Sequence, residues 1–147
     1  MEIAILGLGC FWGPEIKFSK LNGIIKTEVG YCGDHSAETN YKEVCTGTTN
    51  HAEVVKLDFD PKIISYEKII EYFFEIHDPT TLNSQGPDFG TQYRSEIFYL
   101  NDQQKTTAEK MIEKENIKLS GKVVTKNSLV KNYCPAEGYH QRYLEKR

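Results

Sequence analysis

No stretch of this sequence approaches the roughly 20 consecutive apolar residues that a membrane-spanning helix needs. The N-terminal run IAILGLG is too short for the core of a secretion signal, and an acidic Glu2 stands where such a signal carries basic residues. Neither sign of charge dominates: 18 Lys and Arg against 21 Asp and Glu leave a net charge of −3. That balance gives no electrostatic attraction toward nucleic acid or an anionic membrane. The lysines alternate with glutamates, as in EKMIEKENIK, the pattern of a solvated helix face. Cysteine is also scarce, with four in 147 residues, far below the density of a secreted disulfide scaffold. A cytoplasmic protein with reduced thiols is the expectation, and no repeat or low-complexity linker divides the chain.

What is present fits one domain, with 39% hydrophobic and 27% charged residues. EIAILGLG predicts a buried strand ending at glycines. CFWGPEIKFSKL predicts a turn opening a helix, with Pro14 in the first turn, where its missing N–H costs nothing, and Glu15 near the positive end of the dipole. HAEVVKLDFD alternates Val55, Leu57 and Phe59 against Lys56, Asp58 and Asp60, a half-buried strand. SYEKIIEYFFEIHDP predicts a helix capped by Ser65, striped by Ile69, Phe73 and Ile76, and stopped at Asp78-Pro79. PTTLNSQGPDFGTQ predicts a long loop, a kind of segment that is often functional. YRSEIFYL follows as a strand, DQQKTTAEKMIEKEN as a surface helix and KVVTK as a last short strand, with PAEGYHQRYLEKR as a tail of helix or coil. Strands and helices mix without a regular βα repeat, which makes the class α+β.

The single tryptophan lies in GCFWG, residues 9 to 13, beside Cys10 and between two glycines. Two large rings on a turn are either core or a receptor for something that meets the sulfur. Cys10 falls between a strand end and a helix start, where unpaired N–H groups and the dipole favour an anion. A thiolate there is the reactive form of the residue. His51 and Glu53 in NHAEVV, Asp88 in the long loop, and Tyr41 and Tyr93 are further acid and base candidates. A cysteine hydrolase would pair Cys10 with His51 or His140. A zinc module would draw on Cys32, His35, Cys45 and His51, although Cys-x2-His followed by Cys-x5-His lacks the paired knuckles of a usual zinc site.

Five blocks taken together carry a resemblance: GCFWG, VGY at 29 to 31, CTGTTNHAEVV at 45 to 55, DFGTQYRS at 88 to 95 and PAEGYHQRYL at 135 to 144. In this order they resemble the peptide methionine sulfoxide reductase A family. The resemblance implies a two-layer α+β sandwich of a mixed sheet with helices and much coil. It implies reduction of the S epimer of methionine sulfoxide, free or in proteins, without a cofactor. On it, Cys10 would attack the sulfoxide sulfur and become a sulfenic acid. Phe11 and Trp12 would form the aromatic wall for the substrate methyl. Glu53 would be the acid, its pKa raised by burial. Tyr41 and Tyr93 would donate hydrogen bonds to the oxygen, and Asp88 would be a further polar residue of the site.

Three departures from the family pattern bear on regeneration and on the site. Many members carry a second cysteine on a glycine-rich C-terminal tail, whereas this sequence runs to Arg147, three residues past the last block. Cys32 stands in GYCG and Cys134 in YCPAE, where the family has other residues, and either could resolve the sulfenic acid if it lies close enough. AETNY precedes Tyr41 where the family has Asn-Pro-Thr-Tyr, which weakens the match at that tyrosine. Cys45, in the family's VCTG, is expected to be packed and inert. The expectation is one catalytic cysteine, reduced from outside by glutathione with glutaredoxin, by thioredoxin or by a small dithiol.

Overall fold

The computed structural model describes residues 1–33, 51–86, 88–130, 133–138, 140 and 141. Strand β1 spans Glu2–Leu8, helix α1 Trp12–Ser19, β2 Ile24–Cys32 and β3 Ala52–Phe59. Helix α2 spans Tyr66–Glu75; the two-residue strands β4 (Ser84–Gln85) and β5 (Asp88–Phe89) and a 3-10 turn at Thr91–Tyr93 follow. Strand β6 covers Ser95–Tyr99, helix α3 Asp102–Lys118, β7 Lys126–Leu129 and β8 Cys134–Pro135.

A six-stranded sheet runs in the order β7-β6-β1-β3-β2-β8. The pairs are antiparallel except β6 with β7, which is parallel, so the sheet is mixed. Strand β1 lies inside it because its apolar run tolerates neighbours on both edges: Leu6 pairs with Val55 on β3 and with Ile97 on β6. One face, carrying Ala4, Leu6, Val29, Val55 and Leu57, packs with Phe18 of α1, Ile69, Ile70 and Phe73 of α2, and Ala108 of α3. The alternating residues Ile5, Cys32, Ala52, Val54 and Phe98 form a smaller cluster on the other face. All three described helices therefore cover one side, and the architecture is a two-layer α+β sandwich.

Local signals explain most boundaries. The Ser65 hydroxyl accepts the Lys68 amide at 3.1 Å and caps α2, whose Ile69 and Phe73 are buried as the period demands. The Asn101 side chain caps α3 by accepting the Gln104 amide at 2.9 Å. Gln104 then donates from Nε2 to the Ile3 carbonyl at 2.7 Å, tying this polar helix to β1. At the far end of α2, the ring of His77 bridges the Phe73 carbonyl (2.5 Å) and the Ser95 hydroxyl (2.7 Å), which docks the start of β6. Burial holds the His77 imidazole neutral by pushing its pKa down to about 4.

Three elements differ from the sequence expectation. KVVTK is not the last strand: the Val123 amide donates to Asn116 Oδ1 at 3.0 Å and the Val124 amide to the Pro79 carbonyl at 2.8 Å, and the ladder with β6 starts only at Lys126. Strand β2 carries no expectation of its own, since Lys26 and Glu28 interrupt its apolar pattern and its register shifts between Ile24 and Lys26. The long loop after Pro79 contains the β4–β5 hairpin and the 3-10 turn, so it has structure of its own. Among the described residues, no helix is long and apolar enough to cross a membrane.

Candidate active site

The site grows from the C-terminal end of β1. Gly9 has φ +100°, a conformation that L side chains rarely adopt, and turns the chain sharply out of the strand. Cys10 follows, half-buried, in the turn ahead of α1, and Phe11 occupies the N-cap position. Phe11 has no side-chain group that caps this helix. The Phe11 amide instead donates to Oε1 of Glu53 at 3.3 Å, a bond that joins the turn to β3 across 42 residues of sequence.

Glu53 is fully buried, at 0% exposure, in the strand register opposite Tyr31. Its Oε2 accepts no hydrogen bond among the described residues. Burial raises its pKa from 4.5 to about 8; the Phe11 amide opposes the rise and the negative charge of Asp88 adds to it. The carboxyl is thus neutral and able to donate near pH 7. A buried Glu in a strand is costly unless paired, as Glu96 is with Arg94; Glu53, with Oε2 unbonded among the described residues, is therefore a candidate for chemistry.

Around the turn stands an aromatic cluster. Phe11 is 1% exposed and its ring lies 5.8 Å from that of Tyr31 and 5.3 Å from that of His140. Trp12 remains partly exposed, with its ring 5.6 Å from His140. The indole Nε1 of Trp12 donates to Nδ1 of His140 at 3.1 Å. Burial pushes the His140 pKa down, against the opposing charge of Glu137, and favours the neutral ring that this acceptor role requires. The Tyr31 hydroxyl in turn donates to Glu137 Oε1 at 2.8 Å. Sequence reasoning names His140 only as a possible base for a hydrolase; its bond to a residue 128 positions away has no signature in spacing.

The remaining candidates divide by place. Asp88 on β5 is near enough to Glu53 for its charge to bear on it; Tyr93 is buried at the end of the 3-10 turn, which packs against both β3 and β5. Tyr41, His35 and Cys45 lie outside the described residues. Cys10, Cys32 and Cys134 form no disulfide. Cys134 pairs with Tyr31 in the ladder, and Gly30 lets β8 come this close, since a Cβ there would sit 2.5 Å from the Cys134 carbonyl oxygen. Cys32, 0% exposed, belongs to the cluster on the opposite face of the sheet from Tyr31 and Glu53. The structure therefore does not bring Cys32 to the side that holds Glu53. Among the described residues, no three His, Cys, Asp or Glu side chains gather into a group that could hold a metal.

The profile of the family described as Peptide methionine sulfoxide reductase matches residues 2–147. The chain belongs to that family. The reductase is 82% identical over 147 residues to the peptide methionine sulfoxide reductase MsrA of Pelagibacter ubique, spanning 100% of both chains. Its fold is similar to that of Mxr1 from Saccharomyces cerevisiae in reduced form, with a TM-score of 0.95 and 40% identity over 99% of this chain and 85% of that one. It is also similar to Mxr1 in a complex with Trx2, with a TM-score of 0.69 and 27% identity over 97% of this chain and 84% of that one. The chain is an oxidoreductase that reduces methionine sulfoxide.

Proposed function

We propose that this enzyme reduces the S epimer of methionine sulfoxide, free or in proteins, by attack of Cys10 on the sulfoxide sulfur. The observation that carries this reading is the buried, neutral Glu53 hydrogen-bonded to the residue next to Cys10. The thiolate forms a bond to the substrate sulfur while Glu53 gives its proton to the sulfoxide oxygen, where negative charge develops. The substrate S–O bond and the new S–S bond then break as the hydroxyl passes to the Cys10 sulfur, which frees methionine and leaves Glu53 to be reprotonated from solvent. One thiol is oxidised to a sulfenic acid and one sulfoxide is reduced to a thioether, so the electrons balance. The first turn of α1 favours the thiolate, and Tyr93, with Tyr41, supplies hydrogen bonds to the oxygen. Trp12, partly exposed, receives the methyl group, and Phe11 backs it from within the core.

The sulfenic acid is returned to the thiol by an external reductant: a thiolate attacks the Cys10 sulfur, water leaves, and a second thiol resolves the mixed disulfide. A thioredoxin fits this role, since the yeast relative has been captured with Trx2; glutathione with glutaredoxin or a small dithiol would supply the same electrons. Of the two spare cysteines, Cys134 is the better placed to act internally, because it pairs with Tyr31 on the site side of the sheet. Steady-state reduction of S- and R-methionine sulfoxide with a small dithiol tests the reading. Turnover of the S epimer alone, abolished in Cys10→Ser, is the expected result; equal turnover of both epimers, or activity retained in Cys10→Ser, would overturn it.

A further inference from the structure

Gln85 belongs to no role assigned so far, yet its side chain is engaged at every point. Its Oε1 accepts the Asp78 amide at 3.0 Å, and its Nε2 donates to the Asp78 carbonyl and to the Thr81 hydroxyl, the latter at 3.2 Å. The amide thus grips both backbone groups of the residue that ends the segment after α2. Its stem lies over the turn that leads to Cys10: a Cβ on Gly9 would sit 2.8 Å from both Cβ and Cγ of Gln85. In the hairpin ladder, Gln85 pairs directly with Asp88. The 3-10 turn that follows packs against β3, β4 and β5 together, so the hairpin and the strand that carries Glu53 share one support.

We propose that Gln85 is a positioning residue of the reductase: by gripping Asp78 and lying over Gly9 it fixes the β4–β5 hairpin and holds Asp88 beside Glu53. Small displacements of charged groups in a water-poor site have large effects on rate. The negative charge of Asp88 favours the protonated Glu53. Other ionisable groups on the surrounding elements are Cys10 in the β1–α1 turn, Tyr31 on β2, His51 beside β3, His77 and Asp78 after α2, Tyr93 in the 3-10 turn, Glu137 and His140 beside Tyr31 and Phe11, and the Arg94–Glu96 pair, joined at 2.6 Å. Of these Gln85 holds only Asp78, and it does so through the backbone; Asp88 is the charged residue of the hairpin itself and its charge contributes to the Glu53 shift, so loosening the clamp is expected to act on Glu53 through Asp88.

The inference rests on the reading of Glu53 as the acid, and the test keeps the two apart. The full chain, labelled with carbon-13 at the glutamate carboxyls, is titrated by NMR as the parent, Gln85→Ala, Gln85→Leu, and each with Asp88→Asn. Gln85→Leu keeps a bulky stem over Gly9 and removes only the amide contacts. The Gln85 variants should ionise Glu53 at lower pH than the parent, and lose roughly tenfold in kcat/KM for S-methionine sulfoxide with a small dithiol. In the Asp88→Asn background, replacing Gln85 should shift Glu53 no further. An unchanged Glu53 titration in both variants, or a shift that persists undiminished with Asp88→Asn, would overturn the proposal. Full activity in Glu53→Gln would instead overturn the acid role and leave the titration result standing.

Discussion

The backbone amide of Phe11 and the Oε1 of Glu53 are 3.3 Å apart, so the buried carboxyl is fastened to the residue that follows Cys10, the proposed nucleophile. The contact ties a carboxyl on a central strand to the turn that carries the thiol. Because burial lifts the Glu53 pKa to about 8, the group is protonated where the enzyme works. We expect kcat/KM to fall as pH rises through about 8, as Glu53 loses its proton. Glu53→Gln should slow the chemical step by roughly 10²-fold or more and abolish this alkaline limb. A rate profile across pH 6–10 for both proteins checks it; an unaltered limb in Glu53→Gln would assign the titration to another group.

The same carboxyl makes stability depend on pH. Its folded pKa is above its unfolded value of about 4.5, so between these two pH values the unfolded chain has released a proton that the folded chain keeps. Its contribution is fully present below pH 4.5 and is lost as pH rises toward 8, at up to about 1.4 kcal/mol per pH unit. Urea unfolding at pH 5 and pH 8 should show a smaller loss of stability in Glu53→Gln than in the parent, since the amide does not ionise.

The Trp12 indole donates to His140 Nδ1. Removing the acceptor with His140→Ala should raise KM for methionine sulfoxide severalfold while changing kcat less, and Trp12→Ala should raise it further. A thermal melt run alongside distinguishes the alternatives: if Trp12→Ala lowers Tm strongly and leaves the kinetics alone, the ring is core and not a substrate wall. His140 accepts the indole proton only as the neutral ring, so substrate binding should weaken as acidification protonates it.

The main core predicts its own cost. Phe73 is wholly buried between α2 and the sheet, in contact with the ring of Phe74 at a centroid distance of 5.0 Å. Phe73→Ala should destabilise the protein by about 3–5 kcal/mol. Phe11 belongs to the same core cluster, so chemical denaturation measures the loss of stability, and kcat/KM corrected by active-site titration to the folded fraction shows how much of the loss reaches the β1–α1 turn.

Elements that carry their own local signals were legible in the sequence. The apolar run of β1 ended by Gly9, the Ser65 cap of α2 and the Asp78-Pro79 stop each depend on neighbours in sequence, and each has a local physical cause. KVVTK misleads because β-branched residues state a preference but do not provide a partner: Val123 and Val124 spend their amides on Asn116 and Pro79. Strand β2 is hidden by its charges and its irregular register, which only the ladder with β3 explains. At the site, Glu53 and Cys10 are candidates that the family blocks name. The grip of Gln85 on Asp78 and the bond from Trp12 to His140 depend on tertiary approach and leave no trace in spacing. The face on which Cys32 stands follows from strand alternation, once β2 itself is known.

The most direct test of the account is a single turnover without reductant. The reduced enzyme is mixed with excess S-methionine sulfoxide, and methionine formed, protein thiols lost and sulfenic acid trapped by a dione reagent are counted per chain. The account predicts one methionine, one thiol lost and the trapped adduct on Cys10, with no methionine formed by Cys10→Ser. Methionine produced by Cys10→Ser, or an adduct that maps to another cysteine while Cys10 stays reduced, would contradict it.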